Sequence, residues 1–527
     1  MRREISFACA VLACLATAPA LARAAAELTI DGGSIAAAAP LADGVRVYKG
    51  LPYAAPPVGP LRWREPAQVP RWKGLRAVDT YAPNCLQPKV FKDIDPFAPS
   101  MSEDCLYLNV STAAKPGEAL PVFFWIHGGG YMAGYGGERR HDGGALARKG
   151  VVVVTLNYRL GAFGFLAHPG LSAQSAHRAS GNYALMDMIA ALRWVRRNIA
   201  KFGGDPNLVT IAGESAGSDA VSRLMASPEA HGLFERAIGE SGAAFGTMGP
   251  DPTLAEGEAM GVAFAQSLDS DDIEALRRRS SAEILAAELA PNTQWRFRPV
   301  IDGWILPASA ADIFAAGKQN DVPLLVGWNV DEGRSFAGVV FAQQNLAQVL
   351  AANFGGDAAR ASTFYPSTTP ADEAASRELL AGDVMMKLPT WRWAVAETRT
   401  GHSAVYLYEF AHHPPIPADW FGDASTARDM GAFHSGEIPY IFGHPDIFPS
   451  WKATDDDREL GNLMSSYWAA FARGGDPNGE GRPHWTAYLP DGSAKRMIFD
   501  AKSGEEEDTG LARRRFIDAA HLAAPGP

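Results

Sequence analysis

Leu208-Val209-Thr210-Ile211-Ala212-Gly213-Glu214-Ser215-Ala216-Gly217 decides how this chain is read. A short β-branched run gives way to Gly-x-Ser-x-Gly, and the stretch Ala216–Met225 beyond it is helical in composition. A strand, a tight turn and a helix in that order hold Ser215 at the apex of the turn, facing a cleft. The flanking glycines relieve steric conflict in so sharp a bend. The pattern alone is weak in a glycine-rich chain; its strand–turn–helix setting makes it specific.

Outward from that turn the same alternation repeats. Val122–Ile126, Val151–Leu156, Val322–Val326 and Ala404–Phe410 are short apolar runs bounded by turn residues, which reads as buried strands. Between them, Leu185, Ile189, Leu192, Val195 and Ile199 share one face of a helix from Asn182 to Ile199, with Asn182 as the expected cap. Strands alternating with helices imply a large, mostly parallel sheet covered on both sides. Thr253–Leu289 and the stretch from Ala337 to about Gly401 break the alternation as helical excursions over the sheet, placed to wall a cleft.

The 527 residues are 47% apolar and 20% charged, a globular composition with ample chain for a large core. The net charge of -11, with no Lys/Arg-rich run, argues against nucleic acid or anionic membrane as a partner. Arg2 and Arg3, the apolar Ile5–Ala22 and the small-x-small triplets ending at Ala22 and Ala24 read as a secretory signal peptide over residues 1–24. No other run reaches the roughly 20 apolar residues of a membrane span. With no Gly/Ser- or Pro-rich linker, residues 25–527 read as one domain, exported to the periplasm or secreted. Cys9 and Cys14 leave with the signal. Cys85 and Cys105 remain, and in an oxidising compartment they are expected to pair.

His127-Gly128-Gly129-Gly130 follows directly on the strand Val122–Ile126. A glycine turn there can aim backbone N–H groups at the negative charge that acyl transfer develops on a carbonyl oxygen, and Gly129, Gly130 and Ala216 are the expected donors. A serine nucleophile also needs a base, and the base an orienting carboxylate, in the chain order Ser, acid, His. Asp331 and Glu332 follow one strand; His412, His413 and His434 follow the next. Position alone does not choose among them.

Further motifs run along most of the chain: Lys49-Gly50-Leu51-Pro52-Tyr53-Ala54, Leu61-Arg62-Trp63, Ser102-Glu103-Asp104-Cys105-Leu106-Tyr107-Leu108-Asn109-Val110, Asn157-Tyr158-Arg159-Leu160-Gly161, Phe202-Gly203-Gly204-Asp205-Pro206 and Gly475-Asp476-Pro477-Asn478. With these the chain resembles the type B carboxylesterase/lipase family, which includes cholinesterases and bacterial para-nitrobenzyl esterases, from about Gly44 to Tyr488. The resemblance implies an α/β-hydrolase fold and resolves the open choices. The acid of the family's D-E-G falls on Glu332, and the histidine before x-x-E-I falls on His434. The oxyanion donors fall on Gly129, Gly130 and Ala216, the first disulfide falls on Cys85–Cys105, and Glu214 lies under the active site. It departs from the family at Asp219, where a small or apolar residue is common; a helix N-terminal charge is the ordinary explanation for an aspartate there.

The expectation is therefore a serine esterase with catalytic Ser215, Glu332 and His434, no metal and no cofactor, acting on small-molecule esters. A monomer is favoured, with the oligomeric state left open. Tyr131, Phe245, Trp328 and Phe433, each beside a catalytic motif, are the candidate pocket walls along with Glu214. Aromatic walls without a fixed cation favour short-acyl and aryl or benzyl neutral esters over anionic or long-chain ones. An ordinary histidine base would lose activity as pH falls through roughly 6–7.

Overall fold

Alternate side chains of Leu120–Ile126 enter two different cores. Val122, Phe124 and Ile126 enter the core that also takes Leu185, Ile189 and Leu192 of the helix Tyr183–Asn198. Phe123 and Trp125 pack with Met464 and Trp468 of the helix Asp455–Gly474 on the other face. A strand apolar on both faces belongs in the middle of a covered sheet. In the computed structural model the described residues are 27–91, 94, 100–246, 250–270, 272–291, 295–341, 344–421, 429–489 and 494–520. The expected signal peptide lies outside them.

The strands, in chain order, are β1 (Glu27–Ile30), β2 (Gly33–Ala36), β3 (Arg46–Pro52), β4 (Leu75–Arg76), β5 (Tyr107–Thr112), β6 (Leu120–Ile126), β7 (Val152–Leu156), β8 (Gly204–Glu214), β9 (Arg236–Glu240), β10 (Leu324–Asn329), β11 (Val405–Phe410), β12 (Lys495–Phe499) and β13 (Gly504–Glu507). Ten of them form one sheet in the order β13-β12-β11-β10-β9-β8-β6-β7-β5-β3. It is parallel from β12 through β7. The edges turn antiparallel, at β13 on one side and at β5 and β3 on the other. β1, β2 and β4 make a small separate sheet. This is the large, mostly parallel mixed sheet that the sequence implies.

Two expected strands are longer at their ends than the apolar runs suggest. β8 continues through Gly213 and Glu214, which pair with Gly239 and Glu240 of β9. β10 continues through Gly327, Trp328 and Asn329, which pair with Tyr408, Glu409 and Phe410 of β11. Ladder hydrogen bonds carry these strands past their last aliphatic residue. One cap expectation is corrected. The Asn182 side chain makes no cap bond to its helix. It brackets Val300 instead, donating to the carbonyl at 2.8 Å and accepting from the N–H at 3.0 Å. A buried amide that finds both partners across the fold has no reason to turn back on its own helix.

The excursions are helical as expected. Leu254–Gln266, Ile273–Arg278 and Ser281–Glu288 form the first; Gly333–Val340, Leu346–Phe354, Pro370–Gly382 and Leu388–Thr400 belong to the second. Cys85 and Cys105 are bonded, with Cα atoms 5.0 Å apart. Among the described residues no helix is long and apolar enough to cross a membrane.

Candidate active site

The parallel strands end together, and their last residues carry the chemistry. Ser215 follows β8 with φ 57 and ψ -121, a backbone conformation that a residue with a Cβ rarely adopts. It is held there because its N–H donates to the Glu240 carbonyl at 2.8 Å, while its own carbonyl accepts from Asp219 N–H at 2.9 Å in the helix Ala216–Ala226. A methyl group on Gly217 would stand 2.1 Å from the Ile126 carbonyl oxygen, so the turn packs directly on the end of β6.

β6 leads into the glycine loop. Gly129, Gly130 and Tyr131 all have positive φ, at 100, 63 and 60. The Gly129 carbonyl accepts from both Met132 and Ala133 N–H at 3.0 Å, which closes the loop. His127 beneath it stacks on Tyr158 with centroids 4.3 Å apart, and the Tyr158 hydroxyl donates to the His127 carbonyl. Burial lowers the His127 pKa to about 4, so this ring is neutral and structural.

The structure brings one acid and one histidine together. His434 Nδ1 lies 2.7 Å from Glu332 Oε2, and Glu332 Oε1 accepts the Asn329 N–H at 2.8 Å. Glu332 is fully buried, and the edge of Phe336 meets the His434 ring at 4.8 Å. Asp331 faces elsewhere. It accepts from Ala432 N–H at 2.9 Å and pairs with Arg334 at 3.1 Å, so it shapes the histidine loop. His412 bonds Asp457 at 2.7 Å, and His413 is exposed, 3.8 Å from Asp331.

The other nitrogen of His434 meets an unexpected amount of negative charge. Nε2 lies 3.1 Å from Glu214 Oε1. Glu240 and Glu437, both fully buried, complete a group of four carboxyl side chains with Glu214 and Glu332. Trp468 Nε1 donates to Glu240 at 2.8 Å, and Asn329 Nδ2 to Glu437 at 2.5 Å. Burial by itself would depress the His434 pKa. The Glu214 and Glu332 carboxylates overcome it and raise the pKa to about 10. Burial, then Glu214 and Glu332, push the Glu437 carboxyl up to about 8, and burial with Glu437 pushes Glu240 well up too. The ordinary histidine pKa expected from sequence is thus corrected upward.

The expected pocket residues divide. Tyr131 and Phe245 are buried beside the loops that carry the site; Tyr131 bonds Asp219 through its hydroxyl, and Phe245 meets Phe314 edge-on at 5.2 Å. Trp328 is wholly buried in the sheet, donating to Glu409 at 3.0 Å under the Arg514 guanidinium. Phe433 is buried against Phe421 and Trp451 in the opposite core. Both are core residues rather than walls: Trp328 is taken up by Glu409 and Arg514, and Phe433 by the aromatic cluster with Phe421 and Trp451. Sequence reasoning missed Phe91 and Ile94, on the segment that the disulfide closes. A methyl on Gly130 would lie 3.7 Å from Phe91, and one on Gly129 would lie 3.3 Å from Ile94. It also missed Glu240 and Glu437 as parts of the site. The only signal was their place in Glu240-Ser241-Gly242 and His434-Ser435-Gly436-Glu437, each at the end of a strand or loop already under suspicion.

Comparison with known proteins gives a consistent result. Residues 29–515 match the model of the carboxylesterase family. The chain is 37% identical over 487 residues to a fumonisin B1 esterase of Sphingopyxis macrogoltabida, covering 89% of this chain and 86% of that protein. It is 35% identical over 496 residues to the para-nitrobenzyl esterase of Bacillus subtilis, covering 90% and 95%. Among solved structures, a thermophilic PNB esterase superposes with a TM-score of 0.80 at 33% identity, covering 94% of this chain and all of that one. A carboxylesterase of Geobacillus stearothermophilus does so with a TM-score of 0.78 at 31% identity, covering 93% and 99%.

Proposed function

Since the chain belongs to the carboxylesterase family, with its α/β-hydrolase fold and carboxylic ester hydrolase activity, we propose that it is an exported serine esterase working through an acyl-enzyme. The observation that carries this reading is the convergence of a strained Ser215, a Glu332-bonded His434 and the Gly129–Gly130 turn at one end of the parallel strands. In the reaction, His434 Nε2 turns from Glu214 to the Ser215 hydroxyl and takes its proton as Oγ attacks the ester carbonyl. Gly129, Gly130 and Ala216 N–H groups receive the oxyanion. Glu332 holds the ring and stabilises the imidazolium, which then protonates the departing alcohol. Water, deprotonated by His434, releases the acid.

The favoured substrates are neutral esters of short acyl chains or aryl and benzyl alcohols. Phe91, Ile94 and Phe336 bring apolar surface to the glycine loop and the base. Arg223, the buried cation that meets the Tyr131 hydroxyl through Asp219, is already paired with Asp219 and Asp251. One relative is named for a para-nitrobenzyl ester, another for fumonisin B1. Export is supported by the basic-then-apolar start of the chain and by the Cys85–Cys105 bond.

A fluorophosphonate label followed by peptide mass spectrometry tests the assignment: the adduct belongs on Ser215, and Ser215→Ala should fold yet turn over no ester. An adduct elsewhere refutes it. Comparing kcat/KM for 4-nitrophenyl butyrate, 4-nitrophenyl palmitate and a dicarboxylate monoester tests the pocket, which is misread if the palmitate or the anion is preferred.

A further inference from the structure

Asp219 is not an isolated helix charge. Its Oδ1 accepts the Tyr131 hydroxyl at 2.6 Å and Arg223 Nε at 2.6 Å. Arg223, with 6% of its side chain exposed, reaches on to both oxygens of Asp251 at 2.8 and 2.9 Å. Burial and the Asp219 carboxylate push the Tyr131 phenol far above its ordinary range, so it stays a neutral donor at every working pH.

Tyr131 is where this chain of bonds meets the oxyanion turn. It directly follows Gly130, and its own φ of 60 is the left-handed region that non-glycine residues rarely occupy. Something outside the turn must hold a residue there. The main chain helps, since the Tyr131 carbonyl accepts the Gly161 N–H at 2.8 Å. The side chain is fixed by the charge-assisted bond to Asp219. Asp219 stands one turn along the helix that begins at Ala216, with its N–H on the Ser215 carbonyl. The bond therefore ties the two segments that carry the expected oxyanion donors, Gly129 and Gly130 on one and Ala216 on the other.

We propose that Tyr131 and Asp219, backed by Arg223, are positioning residues that fix the spacing between the glycine turn and the Ser215 helix for oxyanion binding. The polar atoms of both side chains are engaged with each other and with Arg223. The inference rests on the reading of Gly129, Gly130 and Ala216 as oxyanion donors. Oxyanion donors act only when held at the place where charge develops, so slack between the two segments weakens transition-state binding and leaves ground-state binding almost alone.

The test is Tyr131→Phe, which removes one bond and leaves Asp219 paired with Arg223. Rates are counted per site titrated with a fluorophosphonate, beside inhibition by a trifluoromethyl ketone. That inhibitor adds Ser215 Oγ to its carbonyl carbon, passes the serine proton to His434 and presents a true oxyanion. The expected result is a fall in kcat of about tenfold, a fraction of the 10²–10³ that loss of a whole donor costs. KM should stay within about twofold, and the ketone Ki should rise in step with the loss of kcat. Asp219→Asn, which keeps an acceptor for the phenol, should lose less, and the double variant should lose no more than Tyr131→Phe alone. A purely structural bond would lower the melting temperature and leave kcat per titrated site unchanged; that result overturns the proposal. So does a loss confined to KM. If Tyr131→Phe does not fold, Asp219→Asn carries the same two readouts. A wild-type enzyme that hydrolyses esters but is not held by the ketone overturns the oxyanion reading itself, and the clamp with it.

Discussion

Glu214→Gln should move the acid limb of the pH–rate profile downward by pH units. In the resting site the Glu214 carboxylate lies 3.1 Å from His434 Nε2. A unit charge at that distance is worth about 5 kcal/mol at an effective dielectric of 20, or roughly 4 pKa units as an upper limit. The carboxylate charge is spread over two oxygens and the ring keeps 13% exposure, so about 2 units is the working figure. The sign follows from what the base must be. His434 accepts the serine proton only when neutral, and its pKa is raised to about 10, so wild-type activity climbs with pH toward the alkaline side. A neutral amide in place of Glu214 lowers that pKa and extends activity to lower pH. The assay is kcat/KM for phenyl butyrate followed by pH-stat from pH 5 to 10, because that ratio reports ionisations of the free enzyme. Stability supplies an independent check. A raised histidine pKa stabilises the fold fully below the unfolded value of about 6.5 and loses that contribution as pH passes through about 10. The variant should thus be less stable than wild type below pH about 6.5, and the gap should close toward pH 10. An acid limb that shifts by less than half a unit would mean that Glu214 does not govern the base.

Glu332→Gln should cost orders of magnitude in kcat, about 10³–10⁴, whereas Asp331→Asn should chiefly lower the melting temperature through its lost grip on Ala432 and Arg334; equal losses in kcat with intact fold would exchange their roles. Glu437→Gln replaces a carboxyl whose folded pKa is about 8. Wild type loses stability from that group as pH rises from about 4.5 to 8, so the variant's melting temperature should gain on wild type across that window, and a difference flat with pH would refute the reading. Reducing the Cys85–Cys105 bond should cost roughly 3 kcal/mol of stability in the chain-entropy model and raise KM more than it lowers kcat, since the bridged segment carries Phe91 and Ile94 to the glycine turn; melting curves and Michaelis plots with and without reductant decide it.

The parts of the molecule legible in sequence are those whose physics is local. A parallel strand buried on both faces announces itself as a continuous apolar run, so β6, β7 and β11 were readable to within two residues. β3, β5, β12 and β13 sit at or near the sheet edges and carry mixed polar residues; β3, β5 and β12 take pairing from strands far away in the chain, and β13 is a run of glutamates folded back on β12. Asn182 looked like a cap because its position suited one; a partner 118 residues away took its amide instead. Trp328 and Phe433 were nominated by nearness in sequence to Glu332 and His434, but partners far away in the chain, Glu409 and Arg514 for one and Trp451 for the other, took their rings into the core.

The charge around His434 exposes the deeper limit. Ser215, Glu332 and His434 are legible because each sits in a motif whose backbone demands are severe: a serine at φ 57, a glycine turn and a loop closing on a strand end. The pKa of the base has no such signature. It depends on Glu214 and Glu437 joining Glu332 around the ring, one from the end of β8 and one from the residue before the helix Ile438–Ile441. The motif puts Glu214 near the site, but neither glutamate's own segment states how close it comes to His434. The same holds for Tyr131 and Asp219, which are 88 residues apart, and each has an ordinary explanation until both are placed. A single sequence thus states which groups react, because reacting groups need special backbone. How strongly they react is set by side chains that need only be near, and nearness across strands is a property of the fold.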